Sequence, residues 1–168
     1  MNKLSASEIR PAGMLVLVLA LLTAIPARAA DSGATEHAGH HDSRHHVETV
    51  LGLAWNDGKN AGSIGIEYEY RFTKKYGVAV FLDTTYRGFD LEALGALFTA
   101  HPSKGWKAFA GLGSERKLDE GKDKALARLG AAYAFHVGNG SIGPVVAYDF
   151  LEDSSDVVYL GVAIGFGF

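Results

Sequence analysis

Cysteine is absent from the 168 residues. That excludes disulfides, a thiolate zinc site, a cysteine nucleophile and a lipid anchor through an N-terminal cysteine. Proline is scarce, with 4 residues, and no collagen-like period accompanies it. No sign of charge dominates: 16 Lys+Arg stand against 19 Asp+Glu, a net −3, which excludes a strongly basic nucleic-acid-binding design. Nor does any apolar run reach the ~18–20 residues needed for a membrane-spanning helix. No helical periodicity of useful length appears. Glycine is abundant instead, at 21 residues alongside 48% hydrophobic residues, against an ordinary glycine usage of about 7%. This composition suits many closely packed strands rather than disorder.

The first 29 residues read as a cleaved signal peptide. Lys3 and Arg10 form a positive start, Ala12 to Ile25 an apolar stretch, and Pro26 a break. Ala27-Arg28-Ala29 matches the small-x-small cleavage pattern. Residues 30–46 follow as a polar segment with no large apolar residue. It is expected to be flexible because it has no core to bury. It holds five of the seven histidines: His37, His40, His41, His45 and His46.

From Val47 to Phe168 apolar residues alternate with period two, the signature of strands. The clearest case is the C-terminal strand. Val158, Leu160, Val162, Ile164, Phe166 and Phe168 share one face; Tyr159, Gly161, Ala163, Gly165 and Gly167 share the other. The second strand is nearly as regular, with Ile64, Ile66, Tyr68, Tyr70 and Phe72 opposing Ser63, Gly65, Glu67, Glu69 and Arg71. Six more strands are expected near 47–56, 76–85, 89–99, 105–114, 124–137 and 141–151. In the weakest, 89–99, Leu91, Ala93 and Leu97 oppose Asp90 and Glu92. Turn signals separate them all, from Asn56-Asp57-Gly58 to Asp153-Ser154-Ser155.

Which face is inside decides the class. In a soluble barrel the large apolar face points inward and its partner meets water. Here that partner face is rich in glycine and alanine, unusual for a solvated surface. The reverse assignment fits a small closed barrel with small and polar side chains inside and lipid outside. In hydrocarbon a sheet must close to pair its edges, so strand eight is expected to meet strand one. The aromatics then fall into two girdles. Phe72, Tyr76, Trp106, Phe135 and Phe168 lie near the rim bearing the termini; Trp55, Tyr86, Phe89 and Phe150 lie near the other.

With its signal peptide, eight alternating strands and terminal Ile164-Gly165-Phe166-Gly167-Phe168, the chain resembles the small outer-membrane β-barrel family with a porin-like barrel domain. The resemblance spans Val47 to Phe168. It implies an all-β, eight-stranded antiparallel up-and-down transmembrane barrel in the outer membrane. It also implies that Ile164, Phe166 and Phe168 form a signal for the outer-membrane assembly machinery, and that membrane lipid is a partner. It leaves activity and oligomeric state open, because this fold hosts anchors, adhesins, enzymes and channels. The outer loops are short, the longest spanning Ser114–Asp123, which departs from adhesin-type members.

Parity places Glu48, Glu67, Glu69, Arg71, Asp83, Glu92, Lys107, Arg128, His136 and Asp149 in the lumen. Eight strands leave an interior that side chains just fill. Buried charges must find partners. The expectation is therefore a polar network that plugs a non-enzymatic, structural or interaction barrel without a cofactor. A narrow cation path is the alternative, with the His tail collecting Zn²⁺, Cu²⁺ or Ni²⁺ through neutral imidazoles. A lipid-modifying enzyme is the third reading. His101-Pro102-Ser103 with Glu115 looks like the His-x-Ser…Glu spacing of outer-membrane lipid A deacylases. Lys104-Gly105 replace the Asn-Ala pair of that motif, and the strand order places Glu115 at the opposite end of the barrel from His101.

Overall fold

The computed structural model describes residues 43–87, 90–117, 123–137, 140–152 and 155–168. The expected signal peptide, most of the polar segment and Phe89 lie outside the described residues. Nine strands form one antiparallel sheet: β1 (His45–Asn56), β2 (Lys59–Arg71), β3 (Tyr76–Tyr86), β4 (Leu91–Ala100), β5 (Trp106–Lys117), β6 (Asp123–Tyr133), β7 (Phe135–Val137), β8 (Gly140–Leu151) and β9 (Val157–Gly167). Consecutive strands pair as an up-and-down meander, except that β6 and β7 both pair with β8. β1 also pairs with β9, and β6 with β8, so the sheet closes. β6 and β7 form one stave, giving eight in all.

The β1–β2 hairpin shows the local cause of one turn. Asp57 and Gly58 adopt φ of 48° and 73°, the left-handed pair of a two-residue hairpin whose twist suits the flanking strands. The seam between β1 and β9 runs unbroken from His46↔Gly167 to Trp55↔Val158, which leaves no open edge on either strand.

Large apolar residues lie outside. Leu112 is 71% exposed, and Val80, Leu94 and Val162 are about half exposed or nearly so, at 53%, 57% and 43%. The inward face carries Glu69, Thr99 and Asp149, all essentially inaccessible. A soluble barrel would reverse this arrangement. The interior is not only small and polar, however. Phe81, Phe109 and Tyr159 are buried within it, as are Leu91, Leu97 and Leu126.

β4 has the opposite facing to that expected from sequence. Leu91, Ala93 and Leu97 are buried, whereas Glu92, Leu94 and Phe98 are exposed. Both faces of this strand are apolar, so alternation alone did not orient it. Pairing with β3 does: Leu94 lies beside Leu82 and Phe98 beside Val78, two residues of the outer face. Phe98 thereby joins Phe72 and Tyr76, with ring centroids at 6.5 and 5.7 Å.

The stave expected to run unbroken over 124–137 is interrupted at Ala134. The register on either side is the same, Ala132↔Val145 and Phe135↔Ile142. The gap lies opposite Gly143 and Pro144, and proline has no N–H to contribute to a ladder. Ala134 instead donates its N–H to the Gly105 carbonyl at 2.7 Å.

Glycine makes room for the interior rings. A Cβ on Gly95 would lie 2.6 Å from Phe81 Cε1, and one on Gly130 would overlap the Phe109 ring. Gly130→Ala is therefore expected to cost about 1–3 kcal/mol through overpacking, and Phe109→Leu in the same chain should recover part of it. Urea unfolding from lipid vesicles measures both.

The outer belt sets a second expectation. Val162→Arg, midway along β9, should cost about 2–4 kcal/mol in the same assay, with a smaller loss for Phe166→Arg nearer the rim. Equal tolerance at both positions would contradict a lipid-facing belt.

Candidate functional site

The inward charges form three groups along the bore. Nearest the termini, Glu69 is held from several sides. Arg71 Nε and Nη2 each donate to Glu69 Oε2 at 3.2 Å. Thr99 Oγ1 donates to Oε1, and His101 Nε2 lies 2.7 Å from the same oxygen. These partners come from three regions: the end of β2, the end of β4 and the turn after it.

Lys107 on β5 forms the second group. Its ammonium lies 3.0 Å from Glu67 Oε1 and also pairs with Glu48. β1 and β2 place these two carboxylates directly opposite one another, Glu48↔Glu67. Like charges so placed repel, and a shared cation offsets that repulsion. The Lys107 stem also runs beside Phe109, with Nζ 5.8 Å from the ring centroid.

Arg128 on β6 centres the third group. Its Nε and Nη2 make a bidentate pair with Asp149 at 2.6 and 2.7 Å. Its Nη1 pairs with Asp83. The guanidinium also lies 3.9 Å from the centroid of the Phe81 ring and 5.1 Å from that of Tyr159. A planar, weakly hydrated cation suits such a stacked, forked site better than lysine does. Gly65 matters here too, because a Cβ on it would strike the Asp83 carboxylate.

Eight of the ten residues expected in the lumen thus meet in these groups: Glu48, Glu67, Glu69, Arg71, Asp83, Lys107, Arg128 and Asp149. Glu92 does not. It is exposed on the outer face, opposite Arg116 in register, and Arg116 bonds Asp123 at 2.8 Å. The reversed facing of β4 puts it there, beyond the end of the apolar belt. His136 keeps the inward parity of Arg128 and pairs in register with Ser141, but it lies in the exposed β7 at the mouth of the bore, outside these three groups.

Thr99, His101 and Glu115 are bore residues that sequence parity did not assign. Thr99 follows from the corrected facing of β4. Glu115 shares the parity of Lys107, and the strand expected at 105–114 stopped one residue short of it. Its Oε2 is buried with no hydrogen-bond partner among the described residues. The sequence carries no parity signal for His101, which lies in a turn.

His45 and His46 are the first residues of β1 rather than part of a flexible segment. Successive strand side chains point to opposite faces, so this doublet does not converge on one ion. His45 Nδ1 lies 2.7 Å from the Tyr68 hydroxyl, with its ring near Tyr70 and Phe168. His46 Nε2 donates to the Ser43 carbonyl. Among the described residues no cluster of His, Asp or Glu is arranged to hold a metal ion. His37, His40 and His41 lie outside the described residues.

The deacylase-like set does not assemble. His101 is engaged by Glu69 at the end bearing the termini, and Ser103 is exposed in the adjoining turn. Glu115 pairs in register with Lys124 towards the opposite end.

Solved structures share this architecture. A de novo designed transmembrane β-barrel aligns at TM-score 0.52 and 18% identity, covering 71% of this chain and 94% of that one. Ail, the attachment invasion locus protein of Yersinia pestis, aligns at 0.51 and 17%, covering 74% and 97%. Neisserial surface protein A aligns at 0.50 and 16%, covering 74% and 96%. The fold is that of the small eight-stranded outer-membrane β-barrels. No protein-family model and no curated protein matches the sequence.

The Arg128 group gives a measurable consequence. Arg128→Met leaves Asp83 and Asp149 without their cation and should cost about 3–5 kcal/mol. Replacing Asp83 and Asp149 by Leu in the same chain should restore most of that loss. Glu115→Gln should cost far less, since the group donates nothing to a partner and loses a charge that burial disfavours. Unfolding in lipid vesicles ranks the three variants.

Proposed function

We propose that this protein is a non-catalytic outer-membrane β-barrel whose bore is closed by its own side chains, and whose role is structural or lies in contacts made at its rims. The observation that carries this reading is the match between charges across the bore. Lys107 and Arg128 each bridge two carboxylates from different strands, with Phe81, Phe109 and Tyr159 packed between and beside them. An eight-stranded bore has room for little else. An ion crossing it would have to break pairs whose loss strands buried charge.

Placement in the outer membrane is supported by the closed sheet and the exposed apolar belt, since only helices and closed barrels satisfy every backbone group in hydrocarbon. Ile164, Phe166 and Phe168 project outward from β9 and its end, on the face open to a receptor for the C-terminal strand. This supports their reading as the assembly signal. Against catalysis stand the separated His101, Ser103 and Glu115.

Two measurements test the reading. The full-length protein should fractionate with the outer membrane and migrate faster on gels unheated than boiled; recovery as a soluble periplasmic monomer overturns the location. In planar bilayers it should show no steady conductance. A steady current overturns the closed bore. That current should be cation-selective, because Glu48, Glu67, Glu69, Asp83, Glu115 and Asp149 outnumber the inward bases.

A further inference from the structure

The two ends of the barrel differ in charge. At the end bearing the termini the chain passes through 43–46, 71–76, 100–106, 134–137 and 166–168. These segments contain no Asp or Glu side chain. Arg44, Lys74, Lys75 and Lys104 are all exposed there. The backbone sets them in one arc: the Arg71 N–H bonds the Arg44 carbonyl and the His101 N–H bonds the Lys75 carbonyl, each at 2.7 Å. Arg71 itself turns inward to Glu69. At the other end both signs are mixed: Asp57, Glu92, Asp123 and Asp156 lie among Lys59, Arg116 and Lys124, and Arg116 is paired with Asp123.

An aromatic layer lies directly inside the basic arc. Tyr76 contacts Phe98 at 5.7 Å, Trp106 contacts Tyr133 at 5.1 Å, and Tyr133 contacts Phe135 at 4.9 Å. Such rings settle at the depth of lipid headgroups. Lysine and arginine one layer further out reach the phosphates while their stems lie against the belt.

We infer that this arc is a docking collar for anionic phospholipid headgroups in the leaflet on the side of the termini. The inference rests on the membrane reading above. Lipid is favoured over a soluble polyanion because the bases are continuous with the lipid-facing surface, so headgroup phosphates are already at their level. Each base near an anionic surface adds a several-fold preference that salt screens.

The test uses full-length protein refolded into phosphatidylcholine vesicles carrying a trace of dansyl-labelled lipid. Trp55→Phe leaves Trp106, beside Lys104, as the only tryptophan. Energy transfer from Trp106 to dansyl-phosphatidylglycerol is compared with transfer to dansyl-phosphatidylcholine. The expected ratio is several-fold at about 0.01 M salt and falls towards one at about 1 M. Arg44→Gln, Lys74→Gln, Lys75→Gln and Lys104→Gln together should bring it to one at low salt. Lys59→Gln, Arg116→Gln and Lys124→Gln at the far end should leave it unchanged. Heat-modifiable migration checks that each variant is a folded barrel, separately from lipid preference. If the fourfold variant does not fold, the Arg44/Lys104 and Lys74/Lys75 pairs are tested, each expected to lower the ratio. A ratio of one in the parent, a ratio indifferent to the collar variants, or an equal loss in the far-end variant overturns the inference.

Discussion

Backbone pairing in hydrocarbon is the constraint on which the rest of this structure depends. A strand edge exposed to lipid leaves N–H and C=O groups with no water to bond, so β9 returns to β1 and the meander closes. Closure fixes two sides for every residue. One side faces lipid and carries the aliphatic belt with aromatic rims; the other faces a bore of fixed width. A one-residue slip in any stave would exchange the two. The belt is therefore a consequence of closure as much as of composition.

The narrow bore explains why its charges are grouped as they are. Six carboxylates point inward with few bases, and two of those bases are each shared between two carboxylates. Lys107 takes Glu48 and Glu67, Arg128 takes Asp83 and Asp149, and Arg71 takes Glu69 with help from Thr99 and His101. These pairs link β1 to β2 and β5, and β3 to β6 and β8, across the barrel rather than along it. An apolar bore of equal volume would serve stability as well. What the pairs add is direction, because Arg128 has one arrangement that satisfies two carboxylates and two rings together. Glycines at 65, 95 and 130 are the counterpart, leaving space where Asp83, Phe81 and Phe109 cross neighbouring strands.

Much of the fold was legible because period-two alternation is strong wherever the two faces differ in size or polarity. β2 and β9 are the best cases: isoleucine, tyrosine and phenylalanine on one side, glycine and glutamate on the other. The same signal failed in β4, whose two faces are Leu91-Ala93-Leu97 and Leu94-Ala96-Phe98. Parity puts Glu92 inside only if Leu91, Ala93 and Leu97 are taken as the outer face, and Glu92 lies above the belt, where polarity does not correct that choice. Glu115 was missed for a related reason, since β5 runs past the apolar residues that marked its end. The break at Ala134 was foreshadowed by Pro144, but its effect falls on a neighbouring strand and needs the pairing to be seen.

The sequence by itself determined the strand number and the outward and inward sets of most staves, with eight of the ten expected lumen residues among them, because side-chain parity along a strand is a local property. Only the tertiary structure decided which inward charges meet. Glu48 and Lys107 are 59 positions apart, and Asp83 and Arg128 are 45 apart. Their contact depends on how staves are staggered around the closed sheet, and no local pattern encodes that stagger. The facing of β4, the anchoring of His45 against Phe168, and the gathering of Arg44, Lys75 and Lys104 onto one rim were settled by the same closure.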